Sequence, residues 1–158
     1  MIKTNPFTGT DNDRAAIWDM LVARDIKAYC EADWSQVAED FVVDEFYAIN
    51  ANKSDNPAAW TFAFSSLADY QEEWLRQAKV AQETVYSEPL EPAVHAATTL
   101  NDISIENGRA IARKQFCGSI QRADGGADEL LWQSLYYLKH TDAGWKICGF
   151  TGYLPYTA

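Results

Sequence analysis

Three turn signals divide the second half of the chain: Asn107-Gly108, Asp124-Gly125-Gly126 and Asp142-Ala143-Gly144. Between them lie stretches dense in β-branched and aromatic residues. Asn-Gly and Gly-Gly steps supply the positive backbone angles of tight hairpins, so the spacing predicts four antiparallel strands, over about 93–105, 109–122, 129–140 and 145–153. Such a meander cannot bury an apolar face by itself. The first half of the chain must supply the cover.

It does so with helical patterning. Across Asp11 to Trp34, the residues Trp18, Leu21, Val22, Tyr29 and Ala32 fall on one face at about 100° per residue. Thr10 or Asp11 can cap this helix, which should run to about Glu31. Asp33 caps a short second helix, DWSQVAEDF. Phe41 to Ala51 then turns β-branched and aromatic and reads as a strand from about Asp44, and after the turn-forming NKSDNP segment Trp60 to Phe64 reads as a second. Ser66 caps a third helix with Leu67, Tyr70, Trp74, Ala78 and Ala81 on one face. Three helices with a small hairpin between them, followed by a long meander, predict an α+β fold. The helices pack in the concave face of a strongly bent, mainly antiparallel sheet.

The chain has 158 residues, 47% of them hydrophobic, which suits a single domain over 1–158 with 1–10 as an irregular lead-in. A net charge of −10 without a basic cluster argues against nucleic acid as a partner. No apolar run approaches the 18 residues of a spanning helix and the start carries no signal-like segment, so no membrane partner and a cytoplasmic location are expected. Cys30, Cys117 and Cys148 lack CxxC spacing and read as buried free thiols. Neither a metal-ligand cluster nor a phosphate loop nor a dinucleotide fingerprint is present, and the expectation is chemistry with no cofactor and no metal.

Asp25 sits in the middle of the apolar face of the first helix. A carboxylate there is costly to bury unless it is paired or kept for chemistry. As a functional group it would transfer protons; as a structural one it would be tied to Arg113, Lys114 or a tyrosine across the core. His95 is a candidate partner, since imidazole and carboxylate in one pocket can share acid and base roles. Trp18, Tyr29 and Tyr47 are candidates for pocket walls, with the Tyr47 hydroxyl able to orient a substrate. Arg113 and Gln133 sit mid-strand on neighbouring strands and bind a carbonyl or carboxylate if they face inward. Period-2 patterning leaves their direction open, because both faces of these strands carry apolar side chains.

Taken together, RDIKAYCEADW running into Asp40-Phe41, SLADYQEEW, NDISIENGRAIARKQF and the ending YYLKHTDAGWKICGFTGYLP resemble the nuclear transport factor 2-like superfamily, more closely its SnoaL-like branch. The resemblance implies a cone-like α+β barrel in which the inner face of the first helix lines a deep apolar pocket. In ketosteroid-isomerase-like members the Asp25 position is a tyrosine that donates to the substrate oxygen, and scytalone-dehydratase-like members place catalytic tyrosine and aspartate around it. The isomerase-type base position falls on Ile49, with Asn50 adjacent. The dehydratase-type histidine aligns with Ala97, two residues from His95 and on the same face of an expected strand. Members commonly dimerise through the sheet, which implies a homodimer.

The function these readings imply is a cofactor-independent dehydratase, isomerase or cyclase acting on a hydrophobic, oxygenated small molecule. Asp25 is its acid/base, assisted by His95 and Tyr47, with Trp18, Tyr29, Arg113 and Gln133 at the ligand. The alternative is a ligand-binding or docking module with the same pocket and no turnover.

Overall fold

The computed structural model describes residues 1–158. The first helix is one rod in three parts: α1 (Asn12–Trp18), a π-helical turn (Asp19–Arg24) and α2 (Asp25–Glu31). Asp11 caps it, its carboxylate accepting from the Arg14 backbone N–H. The rod ends where Ala32 turns into the left-handed region at φ 51° and the Asp33 N–H closes back on the Ala28 carbonyl. The expected second helix is instead two short 3₁₀ turns, Trp34–Gln36 and Ala38–Asp40. Asp33 caps the first of them through its own side chain, as the sequence suggested.

A short strand β1 (Tyr47–Asn50) and its antiparallel partner β2 (Thr61–Phe64) follow. Helix α3 (Leu67–Glu83) starts at Ser66, whose hydroxyl accepts from the Asp69 N–H. The second half then departs from expectation at one place. Leu90–Ala97 is a helix, α4, not the start of a strand. Pro92 lies in its first turn, where a missing N–H costs nothing, and Leu90, Val94 and Ala97 recur at helical spacing toward the interior. The strands are β3 (Thr98–Glu106), β4 (Arg109–Gln121), β5 (Ala127–Thr141) and β6 (Gly144–Leu154), close to the boundaries the turn signals implied.

All six strands form one mixed sheet in the order β2-β1-β6-β5-β4-β3. Only the β1–β6 pair is parallel. Register shifts in the β3–β4 and β5–β6 pairs mark the bulges that bend it. Gly149 is required where β1 joins. A Cβ there would stand 2.2 Å from the Tyr47 carbonyl oxygen, a backbone atom that cannot yield. The helices cover one face, and Ile17, Leu21 and Val22 share a buried core with Leu100, Ala112, Leu138 and Ile147 of the sheet. The other face exposes Ile111, Leu131 and Tyr137. No helix is long and apolar enough to cross a membrane. The cysteines are free, but none is fully buried: Cys30 and Cys148 are half-buried, and Cys117 is exposed because it falls on the outward parity of β4.

Candidate functional site

Between the long helix, α3 and the inner face of β4 and β5 lies a cavity of about 310 Å³, at the small end of the range of ligand pockets. Its walls are mainly aromatic, with Tyr29, Tyr70, Trp74, Phe116, Trp132 and Tyr136 all contributing. A hollow of about 560 Å³ adjoins it through Tyr70, Trp74, Phe116, Trp132 and Tyr136. Ile49 and Asn50 line that hollow, so the strand position where the resemblance puts an isomerase-type base carries no carboxylate.

The carboxylate comes from the helix. The π-helical turn ends immediately before Asp25, and π turns recur at functional sites because they re-aim the residues beyond them. Asp25 lines the cavity with about a third of its side chain open to it. Its Oδ2 accepts from Lys114 Nζ at 3.0 Å, and its Oδ1 from the Trp74 indole N–H at 3.4 Å. Each oxygen keeps a further lone pair for a ligand.

Lys114 is the polar group the sequence pattern could only offer among three alternatives. It is 2% exposed, and its ammonium stands 5.3 Å from the Phe116 ring centre and 6.0 Å from that of Tyr136. Two aromatic faces and a carboxylate thus compensate a buried cation. Strand parity decides this. Lys114, Phe116, Trp132 and Tyr136 point inward, so Arg113 and Gln133 point outward.

Tyr70 and Tyr136 also line the cavity. Burial raises both phenols well above their ordinary range, and the nearby Asp25 charge pushes each further the same way. Both therefore stay neutral hydrogen-bond donors. Tyr29 lines the cavity, packs edge-on to Trp74 at 5.9 Å, and donates to the Gln77 carbonyl at 3.3 Å. Behind this wall Trp34 stacks on Phe41 and meets Trp74 and Tyr70 edge-on.

The remaining candidates lie elsewhere. His95 rides on α4, fully buried, with its Nδ1 accepting from the Lys3 backbone N–H at 3.2 Å and its Nε2 without a partner. It does not line the cavity. A helix in place of a strand turned it toward the N-terminal segment. Tyr47 alternates with the buried Ala48 and so faces outward, half exposed, against Phe62. Trp18 is a core residue and lines neither the cavity nor the hollow. Arg113 binds Asp102 and the Gln133 side-chain carbonyl, while Gln133 donates to the Pro155 carbonyl and the Thr157 hydroxyl. These two residues knit the outer face to the C-terminal tail. No group of three or more His, Cys, Asp or Glu side chains comes together to hold a metal ion.

The His95 environment has a pH consequence. Burial, with Lys114, Lys3 and the N-terminal amine adding repulsion against a partial offset from Glu91, lowers its pKa from the ordinary value of 6.5. Between the lowered value and 6.5 the unfolded chain binds more protons than the folded one, so stability falls as pH drops through that window. One group can contribute at most about 1.4 kcal/mol per pH unit. Urea midpoints at pH 7.5 and pH 5 should differ less in His95→Gln than in the parent protein. An unchanged difference would assign the slope to other groups.

No family model matches the chain, and no curated protein matches it. Solved structures do. A cystatin-like domain from Nostoc punctiforme is 16% identical over 94% of this chain and 80% of that one, with a TM-score of 0.59. An NTF2-like protein from Pseudomonas putida is 12% identical over 90% and 87%, with a TM-score of 0.55. A provisionally named dehydratase of the NTF2-like family from Streptomyces avermitilis is 13% identical over 86% and 91%, with a TM-score of 0.52. At such identities the likeness speaks for architecture and not for activity. The chain is built on the nuclear transport factor 2-like, cystatin-like α+β fold.

Proposed function

We propose that the protein is a cofactor-independent acid/base enzyme that binds a hydrophobic carbonyl or hydroxyl compound and moves a proton on the carbon next to its oxygen. One observation carries this reading. A carboxylate with spare lone pairs and two neutral phenols that feel its charge line one mainly aromatic cavity. An apolar body would fill the aromatic end while the Tyr136 and Tyr70 hydroxyls donate to the substrate oxygen. Asp25 would then take the α-proton, and the enolate would draw most from the two phenols as charge reaches its oxygen. The same groups suit isomerisation or loss of a β-hydroxyl as water. A dehydratase-named relative on the same fold is consistent with this reading.

Pairing with a second copy through the sheet is supported by the apolar Ile111, Leu131 and Tyr137 on its outer face.

The test is deuterium exchange into the α-positions of 2-tetralone in D₂O, followed by NMR. Exchange should exceed the buffer rate, fall by about a hundredfold or more in Asp25→Asn, and fall by roughly tenfold to a hundredfold in Tyr136→Phe. Full exchange in a folded Asp25→Asn would remove the proposed base. Binding of 2-tetralone with no exchange above buffer would leave a ligand-binding module instead.

A further inference from the structure

Lys114 does more than the acid/base reading asks of it. A lysine buried to 2% exposure is an expensive way to hold a carboxylate that two indole or phenol donors could hold instead. Its Nζ spends one donor, on Asp25, and the other two meet ring faces with no acceptor. It also forms part of the wall of the same aromatic cavity. Amines desolvated in apolar pockets beside a proton acceptor are suited to attack carbonyl carbon.

We propose that Lys114 captures a hydrophobic aldehyde or ketone as an imine, with Asp25 moving the protons. The inference rests on the cavity being a carbonyl-binding site, as in the function proposed above, and names the reaction class within it. The proton on Nζ passes along the 3.0 Å hydrogen bond to Asp25 Oδ2, a transfer favoured as the ligand expels water from around the partly open carboxylate. The freed nitrogen lone pair forms the C–N bond while the C=O π pair moves onto oxygen, near the Tyr136 hydroxyl. One proton then shifts from nitrogen to that oxygen, giving a neutral carbinolamine. Asp25 returns its proton to the carbinolamine hydroxyl, the C–O bond breaks, water leaves, and the nitrogen lone pair forms C=N.

The net change is ammonium plus carbonyl to iminium plus water, with no oxidant or reductant consumed. The iminium carries the single positive charge the ammonium carried, in the same place. The Asp25 carboxylate and the Phe116 and Tyr136 faces that compensated the first therefore compensate the second. Hydrolysis by the reverse steps frees the product. An iminium also withdraws electrons from the neighbouring carbon more strongly than a carbonyl does, so the α-proton becomes easier for Asp25 to take.

The experiment traps the imine. The protein is incubated with 2-tetralone and sodium cyanoborohydride, which reduces an imine to a stable secondary amine, and the adduct is mapped by peptide mass spectrometry. The expected result is one adduct per chain, on Lys114, formed at least about tenfold faster than on exposed lysines such as Lys27, Lys53 and Lys79. It should be absent in Lys114→Arg and slowed in Asp25→Asn. Because the mapping is done on the parent protein, it does not depend on either variant folding. Adducts spread over surface lysines with Lys114 unmodified would overturn the proposal.

Deuterium exchange measured on the same samples separates the two readings. Exchange without a Lys114 adduct would overturn the imine and leave Asp25 acid/base chemistry standing. A Lys114 adduct without exchange would support the imine and overturn the proton transfer. Neither signal would overturn both.

Discussion

Asp25→Asn is expected to lower the unfolding free energy by about 3 kcal/mol, the lower end of the cost of breaking a buried ion pair. The substitution leaves the ammonium of Lys114, 2% exposed, facing a neutral amide inside an aromatic wall. Lys114→Met should cost less, about 1–2 kcal/mol, because the Asp25 carboxylate it strands is partly open to the cavity and can recruit water. The double variant should recover much of both losses, since a matched apolar and amide pair leaves no charge to compensate. The cycle would then give a coupling of about 2 kcal/mol between the two side chains. Urea midpoints at constant m-value provide the measurement. A stabilised Asp25→Asn would mean something different: a carboxylate kept at a cost to the fold, with Lys114 compensated by its aromatic neighbours alone.

Removing the Trp34 side chain is expected to cost about 3–5 kcal/mol, the range for deleting a buried indole. Trp34 is 9% exposed and stacks on Phe41 with ring centres 5.2 Å apart and planes 13° from parallel. It also meets Trp74 at 5.2 Å and Tyr70 at 6.1 Å, both edge-on. Trp74 and Tyr70 are the wall of the cavity, so the loss should reach the site: affinity for 2-tetralone should fall together with stability in Trp34→Ala. Trp34→Phe keeps a ring on Phe41 and should lose roughly half as much. A cost below about 1 kcal/mol in Trp34→Ala would show that the cluster rearranges, and that α3 is held to the long helix by other contacts.

These two experiments address the joints between elements, and the joints are where sequence reasoning stopped. The elements themselves were legible. Turn chemistry at Asn107-Gly108, Asp124-Gly125-Gly126 and Asp142-Ala143-Gly144 fixed three hairpin connections, because few residues other than glycine and asparagine reach the backbone angles such turns need. Helical spacing placed Asp25 toward the interior and Tyr70 and Trp74 on the buried side of α3, and Ser66 marked where that helix begins. Those signals are local: each rests on residues within a turn or two of one another.

The misplacements were of two kinds. Ala93–Ala97 was expected to begin a strand and instead lies in the helix Leu90–Ala97. The five residues from Ala93 to Ala97 carry too little periodicity to separate the two, and the alanines at 93, 96 and 97 are tolerated in either once the packing favours it. That one change removed His95 from the cavity and gave it to Lys3. The other kind was parity. Arg113 and Lys114 are adjacent, and so are Trp132 and Gln133. A strand whose two faces both carry apolar residues does not say which neighbour points in. The same ambiguity hid the outward direction of Tyr47.

Asp25 could find its cation only after the helix and β4, 89 residues apart in the chain, were packed together. Local sequence therefore determined the α+β architecture and the presence of a carboxylate on its inner face. Tertiary packing alone decided that Lys114, Tyr70 and Tyr136 share a cavity with that carboxylate while His95, Tyr47 and Arg113 do not. Backbone preference acts over a few residues, whereas the direction of a side chain in a sheet is set by which face the rest of the molecule covers.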